Sequence, residues 1–254
     1  MRTEKRIIVT IPILYSDDDL FVIDKPAGIV VNRAESVRGF TVQDWAEKNI
    51  QKIKRSKDQK IKDTDLQLFI DRSGIVHRLD KDTSGVLLVA KHPTALVNLL
   101  TQFKDRTIRK EYRALVHGRV VPREGSIDVP VQRLPWDRKR FGVWPDGKPS
   151  QTHYRVKDYF HSPEGIYTLL DVRPRTGRTH QIRVHLRYLG YPIVGDLFYA
   201  GKKRARDTHG WCPRIFLHAA KLTFKLPSSG KMITIKSPLP PELQQTLNRM
   251  TVAE

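Results

Sequence analysis

Asp80 and Asp82 stand two residues apart in VHRLDKDTSG, residues 76–85, flanked by His77, Arg78 and Lys81. Acids in that setting suit three kinds of chemistry: metal binding, turn formation, or a carboxylate acting as nucleophile or base. Asp80, Asp82, Ser84 and Gly85 follow the first half of an EF-hand calcium loop. The twelfth position, where a bidentate Glu belongs, is Lys91. The residues VLLVA that follow read as a strand, and the cationic neighbours oppose a divalent ion. A metal-dependent nuclease built on Asp80 and Asp82 is therefore the weakest reading. DKDTSG is also full of turn formers, so an Asx-turn between two strands accounts locally for either acid.

A catalytic carboxylate beside a bound polyanion needs a fixed cation next to it. Arginine suits best, because it is always charged and its fork matches a carboxylate. Such a partner keeps the acid ionised and available at neutral pH. RPRTGRTHQIRVHLRYLG, residues 173–190, supplies candidates: Arg173, Arg175, Arg178, Arg183 and Arg187 crowd the start of an expected helix. Helix-start amides and arginines together favour a phosphate. A solvated basic face is the plain alternative. Arg183 follows apolar Ile182 and leans toward the interior, where a buried arginine wants an acid.

The whole chain fits these needs. Its 254 residues carry 46 Lys+Arg against 27 Asp+Glu, a formal charge of +19. That charge points to a polyanionic partner, nucleic acid before membrane. No stretch approaches the ~18 apolar residues of a spanning helix. IIVTIPILY near the start reads as a strand, because Thr10 and Pro12 interrupt it and SDDDL follows. Cys212 is alone, which excludes a disulfide framework and a cysteine-based zinc site. These features lead to an expected reducing, cytoplasmic setting. GxxxxGK[ST], GxGxxG and HExxH are missing, so the main signatures of nucleotide and Rossmann cofactor binding and of a helical two-His metal site are absent. His180 and His185, five apart, would face different ways on a helix.

Strand-like runs fall at 6–14, 20–24, 86–91, 112–121, 152–159, 166–173, 221–226 and 232–236. Helical signals are fewer. Thr41 caps VQDWAEKNI, Pro93 opens TALVNLLTQF, Thr179 caps HQIRVHLRYL with Gly190 beyond it, and PPELQQTLNRM lies near the C-terminus. Strands following strands with scattered helices predict an α+β fold, a mixed and largely antiparallel sheet flanked by helices. The chain reads as one domain, 1–254, with a basic loop or arm at about 48–65. GKKRAR, 201–206, is a second basic cluster.

HRLDKDTSGVLLVAK, 77–91, resembles the signature of the RluA-type pseudouridine synthases, which isomerise uridine in ribosomal or transfer RNA. DDDLFVIDKPAGIVV, KEYRALVHG, RTGRTHQIRVHLRYLGYPIVGDLFY and FLHAAKLTF resemble further blocks of that family in the same order, over roughly residues 14–240. The resemblance implies the pseudouridine synthase catalytic fold, and as a departure from the family no small N-terminal RNA-binding domain is expected before it. It implies Asp80 as the catalytic aspartate at the ribose and Arg183 as the arginine that orients it. Tyr112 would stack on the target base, Leu217 line its pocket, and Arg78 fill the space left by the flipped nucleotide. His77, Thr83, Arg175, Arg178 and His180 are expected RNA contacts. The reaction is an isomerisation, so no cofactor is expected, and the chain is expected to act as a monomer. Asn32 departs from the family, which often has His there. A non-catalytic RNA chaperone or ribosome assembly factor of the same fold is the alternative reading.

Overall fold

The computed structural model of the chain describes residues 10–50 and 62–253. Its strands are β1 (Ile13–Ser16), β2 (Leu20–Lys25), β3 (Ser84–Ala90), β4 (Arg109–His117), β5 (Glu124–Asp128), β6 (Val131–Leu134), β7 (Asp137–Val143), β8 (Gln151–Ser162), β9 (Gly165–Pro174), β10 (Leu217–Lys225), β11 (Met232–Lys236) and β12 (Thr251–Ala253). Its helices are α1 (Val42–Asn49), α2 (Asp63–Arg72), α3 (Pro93–Lys104), α4 (Gln181–Tyr188), α5 (Lys202–His209) and α6 (Pro241–Asn248). The long sheet runs β1-β2-β3-β10-β4-β9-β8-β12, with β11 also beside β10 and β5 beside β8. Among the described strands only β3 and β10 pair in parallel. β6 and β7 form a separate hairpin.

Burial explains the arrangement. Every residue of β3, SGVLLVA, is buried, as a continuous apolar run on a central strand should be. Along β8 the buried Thr152, Tyr154 and Val156 alternate with exposed residues, the two-residue period of a sheet with one covered face. One cluster, with Leu115, Leu170, Leu186 and Phe216, packs α4 and α6 against β4 and β9. Another, with Leu88, Leu96, Leu99 and Phe224, packs α3 against β3 and β10. A third, with Trp45, Ile75 and Leu87, seats α1 on the other side of β3. Ile75 and Leu79 join the third cluster and Val76 the second, so the chain leading to residue 80 is anchored on both faces of β3.

The expected mixed, mostly antiparallel sheet is what forms, and some elements differ. Thr41 does cap α1, with a reciprocal box to Asp44. Pro93 does open α3, where His92 is the cap. Thr179 does not cap α4. His180 is the N-cap, in a left-handed conformation at φ 56°, with no side-chain cap bond. The first turn of α4 is held instead by the hydrogen bonds of the Gln181 side chain to the preceding loop and β8. The loop expected at about 48–65 is helix at both described ends, because Lys48 and Asn49 complete α1 and Asp63–Asp65 open α2. Residues 51–61 of that stretch, and 6–9 of the first expected strand, lie outside the described residues. The GKKRAR cluster runs into α5.

Candidate active site

The turn that carries Asp80 is closed by its main chain: Thr83 N–H donates to the Asp80 carbonyl at 3.1 Å. The turn formers therefore serve the backbone while the carboxylate faces a pocket. Three anchors hold this turn. Gly28 N–H and the buried Lys25 Nζ both donate to the Lys81 carbonyl, at 2.9 and 3.0 Å. Lys25 Nζ also donates to the carbonyls of Pro26 and Ile29. Arg214 donates to the Asp82 carbonyl at 3.3 Å and to Ser84 Oγ at 2.8 Å, while Glu242 on α6 holds its other edge. Burial lowers the Lys25 ammonium to about 7, and the charges of Asp82 and Asp80 oppose that fall.

Arg183 on α4 serves two acids. Its Nε and Nη2 donate to the two oxygens of Asp196, at 2.8 and 2.9 Å, in a forked pair. Nη1 is left to donate to Asp80 Oδ2 at 3.4 Å. Asp196 is fixed in turn by the N–H groups of Phe198 and Tyr199. The rings of Tyr199 and Phe198 lie 4.9 and 5.5 Å from the guanidinium carbon. Burial works against the Arg183 charge. The Asp196 hydrogen bonds and the charges of Asp196 and Asp80 outweigh it and hold the group protonated. The guanidinium is thus aimed by Asp196 and used at Asp80.

Tyr112 on β4 and Leu217 on β10 stand on neighbouring strands and line the same pocket, with Thr83 and Arg78 on the turn side. Burial and then the Asp80 charge raise the Tyr112 phenol above its usual range, so it stays neutral and protonated at physiological pH. His180 also lines the pocket. Its Nδ1 lies 2.8 Å from the Tyr199 hydroxyl and its Nε2 3.9 Å from Asp80 Oδ2. Burial lowers its pKa, with Asp80 opposing, so at neutral pH the ring is an uncharged neighbour of Asp80 rather than an ion partner. Burial, and then the charge of Arg106, lower the Lys110 ammonium well below its ordinary value to about 8, and it donates to the Thr176 carbonyl at the rim.

The structure therefore brings Asp80, Arg183, Tyr112, Leu217, Arg78, Thr83, Arg178 and His180 around one pocket. Arg175 is exposed outside its lining. His77 is a correction: it faces α3 and not the pocket. Its Nε2 accepts from Leu88 N–H at 3.1 Å, its ring packs on Phe103, and burial and Lys110 depress its pKa to about 3. Four supporting residues escape a sequence reading. Asp196 and Lys25 sit in quoted blocks, GDLFY and DKPAG, but no local pattern shows that either is buried beside the acid. Arg214 is a lone arginine in a basic chain. Gln181 wires the RTGR loop to β8, accepting from Thr176 Oγ1 and Arg178 N–H and donating to Gln151 O and Thr152 Oγ1.

A carboxylate faced by a buried guanidinium, in a pocket rimmed by arginine and lysine, is a site whose charge suits an anionic ligand. The sequence model of the RNA pseudouridylate synthase family matches residues 19–188. An uncharacterized RNA pseudouridine synthase of Chloroflexus aurantiacus is 51% identical over 179 residues, 70% of this chain and 54% of that protein. The ribosomal large subunit pseudouridine synthase D of Nitrosomonas europaea is 38% identical over 94% of this chain and 65% of its own length. The uncharacterized RNA pseudouridine synthase YlyB of Bacillus subtilis is 36% identical, with 94% of this chain and 72% of that protein covered. The chain thus spans between about half and three quarters of these relatives. Human RNA pseudouridylate synthase domain containing 1 superposes with a TM-score of 0.71 at 25% identity, covering 96% of this chain and 89% of that one. The chain belongs to the RNA pseudouridylate synthase family.

Proposed function

We propose that the Asp80 pocket isomerises uridine to pseudouridine in RNA, and that the RNA is ribosomal, in the large subunit. The observation that carries this reading is the Asp80–Arg183–Asp196 relay at 3.4 Å and 2.8 Å in a chain of charge +19. The synthase D names of relatives support the large-subunit choice. We further propose that the chain acts in the cytoplasm as a single catalytic unit and a monomer.

The reaction breaks the bond from uracil nitrogen 1 to the ribose anomeric carbon and joins that carbon to uracil carbon 5. Carbon 5 loses its proton and nitrogen 1 gains one. Asp80 attacks the anomeric carbon or removes the neighbouring ribose proton, and both routes need the ionised carboxylate that Arg183 faces. The flipped base lies between Tyr112 and Leu217. Extrusion costs a few kcal/mol, and stacking on the tyrosine returns about 1–3 kcal/mol. Arg178 meets a phosphate at the pocket edge, and Arg78 occupies the vacated stack.

The test is to incubate transcribed large-subunit ribosomal RNA with protein in EDTA and map pseudouridine. Wild type forms the product, and Asp80→Asn lowers the rate by at least about 10²-fold while still binding RNA. Equal product from Asp80→Asn rejects the assignment of Asp80. Strand cleavage that stops in EDTA identifies a nuclease instead.

A further inference from the structure

Beside the active-site pocket, and sharing Tyr199 with its framework, lies a second and roomier groove of about 440 Å³ between the β6–β7 hairpin and α4. Its volume falls within the roughly 300–1,000 Å³ of small-ligand sites. Trp136, Phe141, Tyr188 and Tyr199 supply aromatic walls, and Arg140 and Arg187 supply positive charge. Val184 and Tyr199 pack with Phe141 and Val143 as an apolar floor. Trp136 is 70% exposed and Tyr188 57% exposed, although each is large and apolar. Trp136 touches the edge of Trp144, which steadies it without covering it. The acid in the lining, Asp137, is paired with Arg140 at 3.3 Å.

We propose that this groove is a second nucleobase site, which stacks an unpaired base adjacent to the target uridine while Arg187 and Arg140 meet its phosphates. The proposal rests on the reading of the substrate as RNA. Aromatic faces interleaved with guanidinium groups are the pattern that holds single-stranded nucleic acid, because every base has a face to stack and every link a phosphate to neutralise. The groove is also connected to the catalytic relay. The Tyr199 hydroxyl accepts from the Phe141 N–H of the hairpin at 2.9 Å and meets His180 Nδ1 at 2.8 Å. A base seated against the hairpin therefore bears on the residues that flank Asp80.

The experiment uses the full chain and an oligouridylate of about ten nucleotides, within single-strand site sizes, carrying iodouridine for photo-crosslinking. Irradiation places cross-links on Trp136 or Tyr188. Trp136→Ala weakens binding by about 10-fold, the loss of one base stack, and Trp136→Phe restores most of it. Arg187→Ala makes the salt dependence of log Kd shallower by about 0.7, one phosphate contact on a single strand, whereas Trp136→Ala leaves that slope in place. Both residues are exposed, so thermal midpoints near wild type confirm intact folding. Unchanged affinity in Trp136→Ala and Tyr188→Ala, with cross-links elsewhere, overturns the proposal and leaves the groove to a protein partner. A wild type that forms no pseudouridine, yet loses oligouridylate affinity on Trp136→Ala, keeps the groove and rejects only the isomerase reading.

Discussion

At the scale of the residue, the two acids that touch Arg183 divide the labour between function and stability. Asp196 is buried and takes two of the guanidinium nitrogens, whereas Asp80 takes one at longer range from a part-exposed position. Removing one partner of a buried pair strands the other, at about 3–5 kcal/mol. Asp196→Ala is therefore expected to lower the thermal midpoint by about 10 °C in a chain of this length. Asp80→Asn is expected to shift it little, by the ~1 kcal/mol or less of an exposed pair, while abolishing product. Calorimetry on the two variants checks this, and a stable Asp196→Ala would show that Arg183 is aimed by something else. The sequence makes Asp80 and Arg183 legible, since an acid among bases and an arginine behind an isoleucine each need explaining. It leaves Asp196 hidden, because the pairing of residues thirteen apart depends on how the chain leaves α4.

At the scale of the element, the catalytic turn is placed by the one parallel contact among the described strands. Gly85 sits at φ 116°, and a Cβ there would meet the Ala219 carbonyl oxygen at 2.2 Å, which is backbone and cannot yield cheaply. Gly85→Ala is expected to part β3 from β10, cost about 1–3 kcal/mol or more, and cut activity by moving Asp80 away from Arg183. A soluble Gly85→Ala protein with wild-type midpoint and rate would contradict this. Glycine after DKDTS announces a turn from sequence alone, but the close approach of β10 comes from 134 residues downstream and is not local information. The same limit hides β5, β6 and β7. Their residues, EGSID to DRKRFGV, are polar or charged and rich in turn formers, so neither alternation nor apolar runs mark them. The strongly apolar strands and the Thr41 box are legible because their signals are local.

At the scale of the whole molecule, burial of histidine sets a pH limit. His77 and His117 are depressed to about 3 and about 4, and His180, His185 and His218 are lowered, in each case chiefly by burial. An unfolded histidine takes up a proton near pH 6.5, and the folded ones resist protonation to lower pH, His77 to about 3 and His117 to about 4. The unfolded state then binds more protons, so stability falls as pH drops from about 6.5 toward 4. Asp19, Asp44, Glu47 and Glu111, all lowered in the fold, extend the loss below the usual carboxylate range. Thermal midpoints measured from pH 8 to pH 4 should decline most steeply below about 6.5, and a flat profile across that interval would show the histidines to be protonated in place. The central claim is that Asp80, faced by Arg183, drives isomerisation of uridine in RNA. Release of tritium from RNA labelled at uracil carbon 5 tests it most directly, because that hydrogen leaves only when the carbon joins the ribose. Wild-type protein should release tritium in EDTA and Asp80→Asn should not. Equal release from both, or none from wild type on large-subunit ribosomal RNA, would contradict the account.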